Sequence, residues 1–130
     1  MLKKISFKNQ RGQTMAEFAL VLPMLALLLF AVTQFGITFN RYLALTDAVR
    51  AGARAGAVAR HADDPAGTTE ARVREAAANL DQADLTVTVT SSWEPGEDIV
   101  VAGSYPYSIN LLGIVVASGD LTSQTTERVE

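Results

Sequence analysis

The stretch Arg11–Phe30, RGQTMAEFALVLPMLALLLF, decides how the rest of the chain is read. Its apolar run begins at Phe18 and continues to Ile37, interrupted only by Thr33 and Gln34. A helix of that length reaches about 30 Å, one hydrocarbon thickness. Lys3, Lys4, Lys8 and Arg11 precede it with no acid among residues 1–12, giving +4 there and −7 over the remainder of a chain whose total is −3. Basic residues on one side of an apolar span keep that side cytoplasmic. A single pass with the N-terminus inside is therefore expected, and the basic start suggests a leader over 1–12. Pro23 falls within the first two turns, where it removes one backbone bond and can kink the helix. A cleaved secretory signal fits the basic start and apolar run. The run is longer than a signal core, however, and no small-residue cleavage site follows it directly.

Working outward, the helical pattern does not stop at Ile37. Tyr42, Leu45, Val49, Ala53 and Gly56 recur at helical spacing, and the next proline is Pro65. One helix from about Thr14 to about His61 is predicted, roughly 72 Å long. Residues 13–37 would be its transmembrane part and 38–62 its extracytoplasmic continuation. Ala44, Ala48, Gly52 and Gly56 fall four apart, and Ala51, Ala55 and Ala59 make a second row. Small rows let other elements approach closely. Glycine inside a water-exposed helix costs about 1 kcal/mol against alanine, so Gly52 and Gly56 need a packing reason. That partner is either the chain's own sheet or another subunit. Arg50 and Arg54 share a face and are candidates for intersubunit contact.

Residues 63–130 read as a small α+β domain. Asp63-Asp64-Pro65-Ala66-Gly67 predicts a loop. Thr68 or Thr69 would cap a second helix over about 69–82, with Val73, Ala76, Ala77 and Leu80 on its apolar side. Leu85–Thr90 alternates strictly and predicts a strand. Pro95-Gly96 predicts a turn, and a second strand follows over about Asp98–Ser108, interrupted at Pro106, where a proline suits an edge or an end. After the apolar stretch Leu111–Val116, a turn is predicted at Ser118-Gly119 and a third strand over Leu121–Val129. The fold class is α+β: a long helix, a short one and an antiparallel sheet of about three strands, covered by the outer half of the long helix.

Several chemistries find no support. There is no cysteine, so no disulfide or zinc-thiolate site is expected. His61 stands alone as a histidine, near a helix C-terminus where an imidazolium is mildly favoured. Asp63, Asp64, Glu94, Glu97 and Asp98 lack calcium-loop spacing and read as solvated acids. No phosphate loop or histidine-linked nucleophile appears. Trp93, Tyr105 and Tyr107 read as packing residues at the sheet edge. The acidic remainder argues against nucleic acid. No enzyme, cofactor or metal is expected.

Glu17 is the anomaly. A carboxylate in the apolar phase costs roughly 2.5 kcal/mol or more unless it reaches the surface or a partner. It can rest at headgroup level beside a helix N-terminus. Alternatively, a cut after Gly12 would expose a new α-amine on Gln13, four residues before Glu17, in the same chain or a neighbour. The basic leader, Gly12, Gln13-Thr14-Met15-Ala16-Glu17 and the apolar helix together resemble the precursor signature of type IV pilin-like proteins. In that group a membrane peptidase cuts after the glycine, and the acid is the fifth residue of the mature chain. Glu17-Phe18-Ala19-Leu20-Val21-Leu22-Pro23, Phe35-Gly36, Tyr42-Leu43-Ala44 and Ala48-Val49-Arg50-Ala51-Gly52-Ala53-Arg54 resemble the TadE-like group of tight-adherence (Tad, or Flp) pilus systems over about residues 12–60. The resemblance implies a minor pilin or pseudopilin, a substrate of a prepilin peptidase. Gly12 and Gln13 would be its cleavage site and Glu17, Phe18 and Pro23 its assembly residues. Other pilin subunits would be its partners and an extracellular filament its destination, with a main filament subunit as a variant of the same reading. An uncleaved single-pass anchor carrying an envelope-binding domain is the alternative.

Overall fold

A computed structural model describes residues 10–130. The predicted leader, 1–12, therefore lies outside the described residues except for its last three. The architecture is α+β. Helix α1 runs Gln10–Ala57, a 3-10 turn spans Ala59–His61, and helix α2 covers Pro65–Ala76. Strands β1 (Thr86–Thr90), β2 (Asp98–Leu111) and β3 (Ile114–Arg128) follow. They form one antiparallel sheet in the order β1-β2-β3.

Helix α1 is 48 residues long, with Pro23 inside it and no break in the helix there. It begins before the expected Thr14 and ends before the expected His61. Its end is met by the end of the chain: the Glu130 amide donates to the Ala57 carbonyl at 2.9 Å. The backbone then tightens into the 3-10 turn, closed by Ala62 N–H on the Ala59 carbonyl at 2.9 Å.

The core sits on the outer half of α1. Leu45, Ala48, Val49, Ala53 and Ala57 are buried there, at spacings of three and four that line one helix face. Against them pack Val73, Ala77 and Leu80 from α2 and the turn after it, and Leu85, Ile99, Val101, Tyr105 and Val129 from the sheet and its ends. Each fully buried Val, Leu or Ile contributes about 1.5–3 kcal/mol relative to exposure. Gly52 and Gly56 are the contact points. A Cβ on Gly52 would run into Val73 and approach the Thr69 carbonyl at 3.3 Å. A Cβ on Gly56 would run into Ile99 and lie 2.7 Å from Thr69 Oγ1. Gly103 on β2 does the same for Leu45 and Val49, each 2.8 Å from where its Cβ would stand. The small row thus packs within the chain, on α2 as well as on the sheet.

Helix α2 corrects the sequence expectation in three ways. It starts at Pro65, not near Thr69, because proline suits the first helical position and Asp64 supplies the cap. Asp64 Oδ1 accepts from the Gly67 amide at 2.9 Å, so the Asp-Pro-Ala-Gly stretch read as a loop is the first turn of the helix. The helix ends at Ala76, and Ala76 itself is exposed. The buried position on that face is Thr69, whose hydroxyl donates to the Pro65 carbonyl at 2.8 Å and is thereby satisfied. Arg74 ties the helix end to the next segment, pairing with Glu70 at 2.9 Å and donating to the Gln82 and Leu85 carbonyls.

The sheet alternates as β1 predicts. Leu85, Val87 and Val89 face the helices, while Thr86, Thr88 and Thr90 are exposed. Strand β2 is not interrupted at Pro106. The β1 pairing ends at the Thr86–Ser104 pair, so Pro106 has β3 beside it and no strand on its other side. A proline is tolerated at such a locally open edge. The turn expected at Ser118-Gly119 is absent: those residues lie within β3, opposite Ser108 and Tyr107. The chain reverses instead at Leu112-Gly113, where both φ angles are positive, 52° and 88°. Positive φ at both central residues is the mirror-type two-residue turn, which favours Asn-Gly. Leucine at the first position costs about 1–2 kcal/mol in backbone strain. Trp93 and Tyr107 are half-buried. Tyr105 is buried, and its hydroxyl accepts from the Asp81 amide at 3.4 Å.

Three substitutions test this architecture. Gly56→Val should destabilise the outer domain by about 1–3 kcal/mol through overpacking. Gly36→Ala, with nothing within 4 Å of its Cβ position, should not. Asp64→Ala should cost about 1 kcal/mol by removing the α2 cap. Thermal unfolding of the detergent-solubilised full chain, followed by circular dichroism, measures all three.

Candidate assembly site

The N-terminal half of α1 has no core beneath it. Its apolar window is wholly unburied, and the helix is long and apolar enough to cross a membrane. Phe18, Leu20, Met24, Leu28, Leu29 and Phe35 are all more than half exposed. Pro23 lies on this exposed stretch. Its ring leaves the Ala19 carbonyl, two residues beyond Glu17, without its usual amide donor. Thr33 removes its own polar cost by donating its hydroxyl to the Leu29 carbonyl at 2.8 Å.

Gln13 and Glu17 stand one turn apart on this half. Gln13 Nε2 donates to Glu17 Oε1 at 3.1 Å, an exposed contact. Gln13 and the acid, four residues apart, thus share a helical face, and nothing lies within 4 Å of where a Cβ on Gly12 would stand. Gly52, Gly56 and Ala48 lie far along the same rod, buried in the core. Arg50 and Arg54 point away from it, both exposed. Arg50 lies 3.9 Å from Asp47, a pair 60% and 79% exposed. Such pairs contribute little to stability. Among the described residues no group of three or more metal-ligating side chains converges. His61 is exposed and accepts from Arg60 Nε at 3.0 Å.

The family model of TadE-like proteins matches residues 12–54. The match is about a third of the chain. It starts at Gly12 and ends at Arg54, so it holds the proposed cleavage pair, Glu17, Phe18, Pro23, Ala48, Arg50, Gly52 and Arg54, and stops short of Gly56. The TadE-like stretch therefore includes the whole exposed apolar half of α1 together with the start of its core-forming half, and excludes the sheet. No curated protein and no solved structure matched the chain.

One part of the exposed apolar surface is not in the TadE-like stretch. Leu111 lines a groove with Val21, Met24, Leu25, Leu27, Leu28 and Ala31. Above it, Tyr107, Ile109 and Leu121 line a second groove with Phe35, Thr38, Phe39 and Tyr42. The β2–β3 hairpin thus runs down α1 past the sheet core. Leu111–Val116 appeared in the sequence as an apolar stretch without a place. Its available signal was a single glycine splitting a run of large apolar residues, which marks a hairpin tip.

Proposed function

We propose that this chain is a pilin-like structural subunit of a Tad pilus, acting as a minor subunit. Its precursor inserts with the N-terminus in the cytoplasm, is cut after Gly12 by a prepilin peptidase, and enters a filament through the exposed half of α1. One observation carries the reading: within a single TadE-like segment, a membrane-length apolar helix with no buried residue runs without a break into a helix face that forms the core. The packed half holds a folded domain, and the exposed half is free for lipid first and for neighbouring helices afterwards. Both surroundings are apolar, so the exchange changes hydrophobic energy little, and polar pairs and close packing select the register.

Glu17 is the polar element of that selection. After the cut the α-amine of Gln13 would stand one helical turn from the carboxylate, in place of the amide contact that Gln13 now makes with its side chain. Pairing with that amine in a neighbour would fix the axial offset between helices. Arg50 and Arg54 offer cationic contacts to a neighbour's outer domain. No catalytic role is assigned to any residue.

Intact-mass measurement of the chain from assembled fibres should give a species beginning at Gln13. A species beginning at Met1 would support an uncleaved anchor instead. Glu17→Ala should insert into membrane normally and lower incorporation into fibres about tenfold, the effect of ~1.4 kcal/mol. Unchanged incorporation would remove the role given to this acid. The fraction of fibre mass contributed by this chain distinguishes a minor from a main subunit.

A further inference from the structure

We propose that the tip of the β2–β3 hairpin is a second membrane-contacting element, dipping into the outer face of the bilayer beside α1. The inference rests on the reading of α1 as a membrane span, and adds a lipid contact made by the folded domain.

Position is the first argument. Leu111 lines the same groove as Val21, Met24, Leu28 and Ala31, so the tip lies level with the apolar half of α1. The apolar run of α1 is first interrupted at Thr33 and Gln34, and Phe35, Phe39 and Tyr42 follow, with Tyr107 facing them across a groove. Tyrosines such as Tyr42 and Tyr107 gather at a membrane–water boundary, and the phenylalanines lie on its apolar side. With the acyl boundary at Phe35, the uppermost α1 residue of the groove that Leu111 lines, Ala31, lies four residues below it, about 6 Å, and the groove continues down to Val21. The upper end of the groove is at the depth at which interfacial apolar elements settle, about 5–10 Å.

Composition is the second. From Ile109 to Gly119 the hairpin carries no charge, and Asp120 is the first acid above it. Leu112, Ile114, Val115 and Val116 are 56–69% exposed, an apolar surface left open by the described residues. A register shift between Ile109 and Asn110 leaves Val116 unpaired between the Ala117 and Val115 pairs, which gathers valines at the tip. The turn itself carries Leu112 where asparagine would suit the backbone better. Water gives no reason for that choice, whereas lipid does.

Backbone chemistry sets the limit. The strands pair with each other down to Leu111–Ile114, but their outer edges have no neighbouring strand at the tip. Open strand edges do not survive in the hydrocarbon centre. The insertion is therefore shallow, with the side chains in the acyl region and the strand edges near the headgroups.

The test uses tryptophan fluorescence of the full chain, in a Trp93→Phe background, reconstituted at low density into phosphatidylcholine vesicles. Ile114→Trp should give blue-shifted emission that loses most of its intensity with lipids brominated high on the acyl chain, and less with lipids brominated near its end. Leu25→Trp reports α1 separately. Quenching at 25 without quenching at 114 overturns the hairpin contact and leaves the span intact. Absence of quenching at both overturns the span and this inference with it. Blue-shifted emission at 114 that is insensitive to brominated lipid would mean that protein covers the tip, and also overturns the proposal. Adding Leu112→Asn to Ile114→Trp should weaken the quenching while the domain keeps its circular dichroism spectrum.

Discussion

The close approach of α2 and β2 to the outer half of α1 is the contact on which the other parts depend. Gly52 and Gly56 remove the side chains that would hold Val73, Thr69 and Ile99 away from the helix axis. Gly103 removes the one that would hold β2 away from Leu45 and Val49. A three-stranded sheet has too little apolar surface to be stable alone and needs a helix across one face. Helix α1 provides it only because its backbone is accessible there. Gly52 and Gly56 carry a helix-propensity penalty of about 1 kcal/mol each, and the close packing of α1, α2 and β2 offsets it.

The same helix has two unlike halves with no joint between them. Core positions begin at Leu45, and none occurs before it among the described residues. Upstream, large apolar residues surround the rod on all sides, as a helix meant for an apolar surrounding requires. Backbone hydrogen bonds inside the helix are satisfied in either surrounding, so one continuous element can serve both. Pro23 is compatible with this arrangement because the helix continues through it. Rigid continuity also means that whatever grips the exposed half positions the outer domain directly.

The hairpin extends the folded domain toward the exposed half. Its β1 side is open beyond Ser104, a condition met by Pro106 and by the exposed Ser108 and Asn110. Those polar residues and the proline guard the upper edge against strand addition. Lower down, the guard gives way to leucine, isoleucine and valine, so the character of the hairpin changes along its length in step with α1 beside it.

Much of the architecture was legible in local pattern. The apolar run, the small rows at four-residue spacing and the threonine alternation of β1 each report a periodicity that neighbours in sequence impose. Local strings also gave the resemblances: Gly12 with Glu17 the pilin-like signature, and Glu17–Pro23, Phe35-Gly36, Tyr42–Ala44 and Ala48–Arg54 the TadE-like one. What escaped depended on partners far away in the chain. Asp64-Pro65 reads equally as a loop or as a capped first turn, and the packing of Thr69 and Val73 on α1 selects the helix. Ser118-Gly119 has the composition of a turn, yet pairing with Tyr107 and Ser108 extends the strand through it and moves the reversal to Leu112-Gly113. Turn composition is a local preference of about 1 kcal/mol, and a long register of cross-strand pairs outweighs it. The level of the hairpin tip against Val21–Ala31 follows from that register and from the seat of β2 on α1, neither of which any single stretch of residues encodes.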